Sequence, residues 1–186
     1  MGHYSGQMKL LILLLTTFLI SCTATEKQNG HFNAFVDKEI VVIYLSKYRL
    51  DSVPSEIGRL TKAKRLFIAA DSGGWTIYPP LSALPQPTDT SLAQKLPDEI
   101  TQLTNLKSLG LVRLNLGTLP EDFGKLKNLD SLDLSLNRLV ISNEIQKLKE
   151  IKGLKYLVLL GNVIDSTDIK DLKKDNPSLK IQISIE

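Results

Sequence analysis

The chain has 186 residues, 42% of them apolar, and a formal charge of +3. That length suits one domain with a real core, and the interspersed lysines and acids make no basic stripe of the kind nucleic acid requires. A single cysteine, Cys22, excludes an intrachain disulfide, and two histidines, His3 and His31, leave little for histidine-based catalysis or metal binding.

The first element is an apolar run over residues 10–20, preceded by Lys9. A membrane-spanning helix needs about 20 apolar residues, so this run is too short to span. A positive start, a short apolar stretch and the small Ser21 read as a secretory signal peptide over residues 1–21, in preference to a buried core helix. The run closes on Leu19-Ile20-Ser21-Cys22. This resembles the lipobox of bacterial lipoproteins. The resemblance implies cleavage before Cys22, lipid on its thiol, and anchoring at the bacterial cell envelope, at the outer membrane or cell surface. Several acyl chains hold a protein where one holds it only marginally. Plain secretion, with cleavage near Cys22, is the alternative. Seven residues stand ahead of Met8, an unusual prefix to such a segment that a misplaced start codon would explain, and both Met1 and Met8 stand as candidate starts. Residues 22–38 then form the lipidated N-terminus, a polar tether carrying Asn29-Gly30, and an N-terminal cap near residues 32–38.

From residue 39 onward the leucines recur. Aligned on the second apolar residue of each L-x-L, the marks are Leu45, Ile68, Leu111, Leu134, Leu159 and Ile183, about 23–25 residues apart except for one interval of 43. That long interval reads as one repeat carrying an insertion at residues 72–95. The repeats agree internally. Leu-Pro or Val-Pro precedes an apolar residue at Val53-Pro54 and Ile57, Leu96-Pro97 and Ile100, and Leu119-Pro120 and Phe123. The fourth repeat departs, with Ser142-Asn143 in place of Leu-Pro.

These lines resemble the leucine-rich repeat family, in the variant with an L-P-x-x-I segment and a period near 23. The resemblance implies an α/β, right-handed solenoid over residues 39–186. Short parallel strands would line its concave face and helical or irregular segments would return along the convex face. No coil buries its apolar face alone, so the ends need caps. The C-terminal cap is expected over about residues 165–186, with Ser166 or Thr167 capping a helix, Asn176-Pro177 stopping it and a last strand over residues 179–184. Asp165, Asp168 and Asp171 read as acids favouring a helix N-terminus rather than as a calcium loop, which would need a glycine.

An asparagine inside an apolar repeat has a physical reason. The turn after each strand runs through the interior, where backbone groups need partners, and an amide both donates and accepts. Asn137 and Asn162 are therefore expected to form a structural ladder. Tyr48, Asp71 and Leu114 fall at the equivalent positions, so the ladder is incomplete toward the N-terminus.

The pattern contains no nucleophile elbow, zinc-binding H-E-x-x-H or phosphate-binding glycine loop, so neither catalytic residues nor a cofactor nor a metal is expected. Function is expected to be non-enzymatic binding of a protein partner at the cell envelope. The family resemblance places binding on the outward residues of the strands, here Tyr44, Phe67, Val112, Asp133, Val158 and Leu160. Such a mixed, weakly charged surface marks a partner site, or is simply what a flat sheet tolerates. The insertion adds Trp75, the single tryptophan, with Tyr78. These are interface anchors, a platform for a glycan or cell-wall fragment, or residues that fold back onto the repeat.

Overall fold

The computed structural model describes residues 30–72 and 94–184. The expected signal peptide, Cys22 and the tether to Asn29 fall outside these residues, as do Trp75 and Tyr78. The chain divides into two units, residues 1–33 and residues 34–186; the second is the repeat unit. Among the described residues, no helix is long and apolar enough to cross a membrane.

Apolar residues alternate in each repeat, and they form strands that stack in parallel. The strands are β1 (Ile40–Tyr44), β2 (Arg65–Ala69), β4 (Ser108–Val112), β6 (Ser131–Asp133), β7 (Tyr156–Val158) and β8 (Lys180–Gln182). They make one six-stranded sheet in that order. Burial fixes the register. Val41, Leu66, Leu109, Leu132 and Leu157 lie side by side, as do Ile43, Ile68 and Leu111, and all are buried. A shift by one residue would turn every one of them to solvent.

This register corrects one expected alignment. Ile43, not Leu45, lies beside Ile68. The first strand offers three buried alternating residues, Val41, Ile43 and Leu45, for two places in the sheet. Leu45 instead opens a 3-10 turn, Leu45–Tyr48, that leaves the sheet. Tyr48 is therefore not the counterpart of Asn137; Ser46 is, and Tyr48 packs edge-on against Phe35 with ring centroids 6.4 Å apart.

The return segments follow from the prolines. Pro54, Pro97 and Pro120 sit in extended backbone just ahead of the 3-10 turns Ser55–Arg59, Asp98–Gln102 and Glu121–Lys125. Proline has no N–H to leave unpaired there, and its carbonyl accepts from Ile57, Ile100 and Phe123 at 3.1–3.2 Å. Those three side chains, and Leu60, Leu103 and Leu126 after them, are fully buried. Lacking the proline, the fourth repeat returns through a longer α-helix, α1 (Ile141–Lys149). The insertion ends earlier than expected. Gln94–Lys95 already form strand β3, paired in parallel with β5 (Leu116–Thr118) in a second small sheet.

The C-terminal cap is helix α2 (Ser166–Asp175) followed by β8. Its N-cap is Asp165 rather than Ser166 or Thr167. The Asp165 carboxylate accepts from the Thr167 and Asp168 amides at 2.7 and 3.0 Å, and Asp168 returns the favour to the Asp165 amide at 3.0 Å. Aspartate is as good a cap as serine, and its charge also suits the helix N-terminus. The helix ends at Asp175, ahead of Asn176-Pro177 as expected. The three acids are thus all occupied in structure, since Asp171 pairs with Lys149 at 3.3 Å.

Candidate partner-binding face

The turns after the strands hold the open face in place, and the asparagines close them. Asn137 is 3% exposed. Its Oδ1 accepts from the Leu114 and Leu116 amides at 3.0 and 3.2 Å, and its Nδ2 donates to the Leu111 and Leu134 carbonyls at 2.7 and 2.8 Å. Asn162 repeats this one coil later, accepting from the Leu139 amide at 3.1 Å and donating to the Leu134 carbonyl at 2.9 Å. Ahead of each asparagine the backbone turns left-handed, at Leu136 (φ 59°) and Gly161 (φ 70°); Arg113 does the same ahead of Leu114 (φ 55°). Only the glycine adopts that conformation without strain.

A second amide series was missed from the sequence. Asn105 and Asn128 donate to the Thr61 and Thr104 carbonyls of the preceding coils at 2.9 and 2.8 Å. The signal was present in the matching T-N-L-K-S-L and K-N-L-D-S-L segments at residues 104–109 and 127–132. A buried charge was missed as well. Glu144 on α1 is 2% exposed and accepts from the Thr118 hydroxyl at 2.9 Å, the Leu119 amide at 3.2 Å and Lys147 at 3.2 Å. Burial disfavours the Lys147 cation, but its hydrogen bonds to the Glu121 and Glu144 carboxylates outweigh it and hold the amine above its usual range.

Residues between the buried ones point to the opposite, open face of the sheet. The corrected register sorts them into columns. Ile40, Arg65, Ser108, Ser131, Tyr156 and Lys180 form one, and Val42, Phe67, Gly110, Asp133, Val158 and Gln182 the next. Tyr44, Ala69 and Val112 begin a third. Tyr44 and Phe67, which alignment of Leu45 with Ile68 would place side by side, are therefore diagonal neighbours, and their rings meet edge to face at 6.4 Å. Val42 takes the place beside Phe67 that Tyr44 was expected to hold.

The expected residues do not all present a surface. Val112 is 4% exposed and serves as floor. Asp133 is half-buried and ties down the Ser135 hydroxyl and amide. Val158 and Leu160 are half-buried at the far end of the face. Tyr44 and Phe67 are half-buried and sit together. Gly110 makes room for Phe67: a Cβ there would lie 2.6 Å from Phe67 Cδ2, so the ring occupies the space that a side chain would fill. Around this pair stand Ile40 and Val42, 64% and 46% exposed. Together with Tyr156, they are three of the five exposed large apolar residues in the described chain. Scattered exposed apolar residues need no explanation, but a cluster on one face does.

The face is also cationic. Lys47 Nζ lies 4.9 Å from the Tyr44 ring centroid and Lys180 Nζ 5.3 Å from that of Tyr156. Arg65 is exposed on β2 with no acidic partner among the described residues. No group of acids, histidines or cysteines suited to a metal occurs among the described residues.

Parallel strands stacked at a repeat of 23–25 residues, proline-led returns and an asparagine sealing the turn decide the architecture. The fold is a leucine-rich repeat. No family model matches the chain, and no curated protein does. Among solved structures, it is similar to a leucine-rich repeat protein of Leptospira interrogans at 27% identity, covering 72% of this chain and 34% of that one, with a TM-score of 0.45. It is also similar to an internalin of Listeria monocytogenes at 19% identity, covering 71% and 38%, with a TM-score of 0.43. The chain thus spans little more than a third of the length of either protein.

Proposed function

We propose that this leucine-rich repeat chain is a non-enzymatic binding module that holds a protein partner on the open face of its sheet. The observation that carries the reading is the aromatic pair Tyr44 and Phe67, with Phe67 packed against Gly110 and exposed Ile40 and Val42 at its flank. A fold does not determine function, but a preformed aromatic cluster in an apolar patch is the chemistry of an interface anchor. The lipobox-like segment ending at Cys22 supports an address at the bacterial cell envelope, held by lipid, for this module.

The test is cross-linking capture on intact cells. The wild-type chain would be compared with Tyr44→Glu plus Phe67→Glu and with a deletion of residues 74–93. A defined protein captured by the wild type and by the deletion, and lost from the double variant, is the expected result. Loss only in the deletion would move the site to the insertion. Absence of any protein, with a glycan panel quenching the Trp75 fluorescence, would replace the reading with glycan binding. Labelling with a fatty-acid analogue, compared with Cys22→Ser, tests the anchor; label that survives the substitution rules it out.

A further inference from the structure

The chemistry of the partner can be taken one step further, on the assumption that the open face is the binding site. The groups surrounding the aromatic pair are cations. Arg65 stands two residues before Phe67 on the same face of β2, a rise of about 7 Å along the strand, and it lies beside Ile40 of β1. On the other side, Lys47 sits over the Tyr44 ring. Lys180 lies beside Tyr156 at the far end. The one acid in the columns named above is Asp133, whose Oδ1 already accepts from Ser135. Other acids near the face are occupied: Glu39 pairs with Lys64 at 2.7 Å and Asp71 with Arg113 at 3.3 Å.

We infer that the face recognises an extended acidic segment of a protein, in which an aromatic or aliphatic side chain is flanked by carboxylates. The apolar side chain rests on Phe67, Val42 and Ile40, and the carboxylates meet Arg65 on one side and Lys47 on the other. Three observations support this. The apolar cluster is open to solvent, cations bracket it along the strand direction, and no described acid neutralises Arg65. A guanidinium takes a carboxylate with two parallel hydrogen bonds, and complementary charge sets partner choice and on-rate more than raw affinity. Gly110 fixes the geometry, because any side chain there displaces the Phe67 ring on which the anchor rests.

Display of random heptapeptides against the full chain tests the inference. Enriched peptides should carry Asp or Glu on both sides of a Leu, Phe, Tyr or Trp. A synthetic peptide of that sequence should lose at least about tenfold in affinity to the variant Lys47→Glu plus Arg65→Glu. It should also weaken as salt is raised, since exposed charges are screened within about 10 Å at 0.1 M. Circular dichroism melting of each variant shows that the fold persists. Gly110→Ala, which leaves every charge in place, should weaken the same peptide. Enriched peptides that are neutral or basic, yet are lost in Tyr44→Glu plus Phe67→Glu, would overturn the charge assignment and leave the proposed function standing. Failure to enrich any peptide, or acidic peptides indifferent to both double variants, would overturn both. Binding of the chain to phosphatidylglycerol vesicles that Lys47→Glu plus Arg65→Glu abolishes, with no peptide preference, would assign the cations to a membrane surface instead.

Discussion

The coils around β1 and β2 and those around β6 and β7 close their turns with different chemistry. In the C-terminal pair the strands are three residues long, and a buried asparagine supplies partners to the backbone of two coils at once. In the N-terminal pair the strands run five residues. Their turns carry Ser46 and the exposed Asp71 where the asparagine would be. The aromatic and cationic cluster lies on the N-terminal pair. The coils around Asn137 and Asn162 hold the ladder, and the coils without it carry the chemistry available to a partner.

The largest expected effect breaks the sealed end. Asn137→Ala removes an amide bonded to two buried N–H groups and two or more buried carbonyls. Each orphaned group costs about 1–3 kcal/mol, so a loss of at least about 3 kcal/mol is expected in urea unfolding. Asp71→Ala at the matching N-terminal position should cost under about 1 kcal/mol, because its ion pair with Arg113 is exposed. Equal losses would remove the distinction between the two halves.

Next is the buried carboxylate. Glu144→Ala strips Lys147 and the Leu119 amide of a partner, with an expected loss of about 2–3 kcal/mol. Glu144→Gln should recover part of it. Smaller again is Gly161→Ala. A Cβ at φ 70° meets Leu136 Cδ2 at 3.0 Å, and the left-handed backbone adds about 1 kcal/mol. Thermal unfolding would measure both.

Titration sharpens the same contrast, because two of the groups concerned lie at the C-terminal end. The Thr167 hydroxyl, with the Asp168 and Thr167 amides, holds Asp165 below its usual range. A lowered folded value means that stability is present above the unfolded value near 3.8 and is lost as pH falls through the folded one. Lys147, held above its usual 10.5, acts in the opposite direction: its contribution is complete below that value and fades as pH rises past the folded one. Asp165→Asn should flatten the acid limb, and Lys147→Met the alkaline limb, of a stability profile.

Much of this was legible in the sequence. The period and the asparagine in the apolar comb led directly to stacked strands and the amide ladder; the return segments were expected only as helical or irregular, and the 3-10 turns after each proline came from the structure. The first coil was misaligned for a physical reason. Val41, Ile43 and Leu45 all alternate and all bury, so only the neighbouring strand could choose between them, and that choice moved Val42 next to Phe67. The cap at Asp165 was misassigned because Asp, Ser and Thr in succession all cap well. The Glu144 network was hidden because a glutamate on an amphipathic helix ordinarily faces water. The candidate site was half visible: its residue types could be read, but the meeting of Tyr44 with Phe67, the packing of Phe67 against Gly110 and the floor role of Val112 depend on register and burial.

Site-specific photo-cross-linking tests the central claim most directly. A benzophenone side chain would replace Val42, on the open face, or Val163, an equally apolar exposed residue 37% accessible outside the strands. The account expects one defined protein to be captured from position 42 on intact cells, with the capture competed by excess unlabelled chain and not by the Tyr44→Glu plus Phe67→Glu variant, and no such capture from position 163. Equal capture at both positions, or none at 42 from a folded chain, would contradict it.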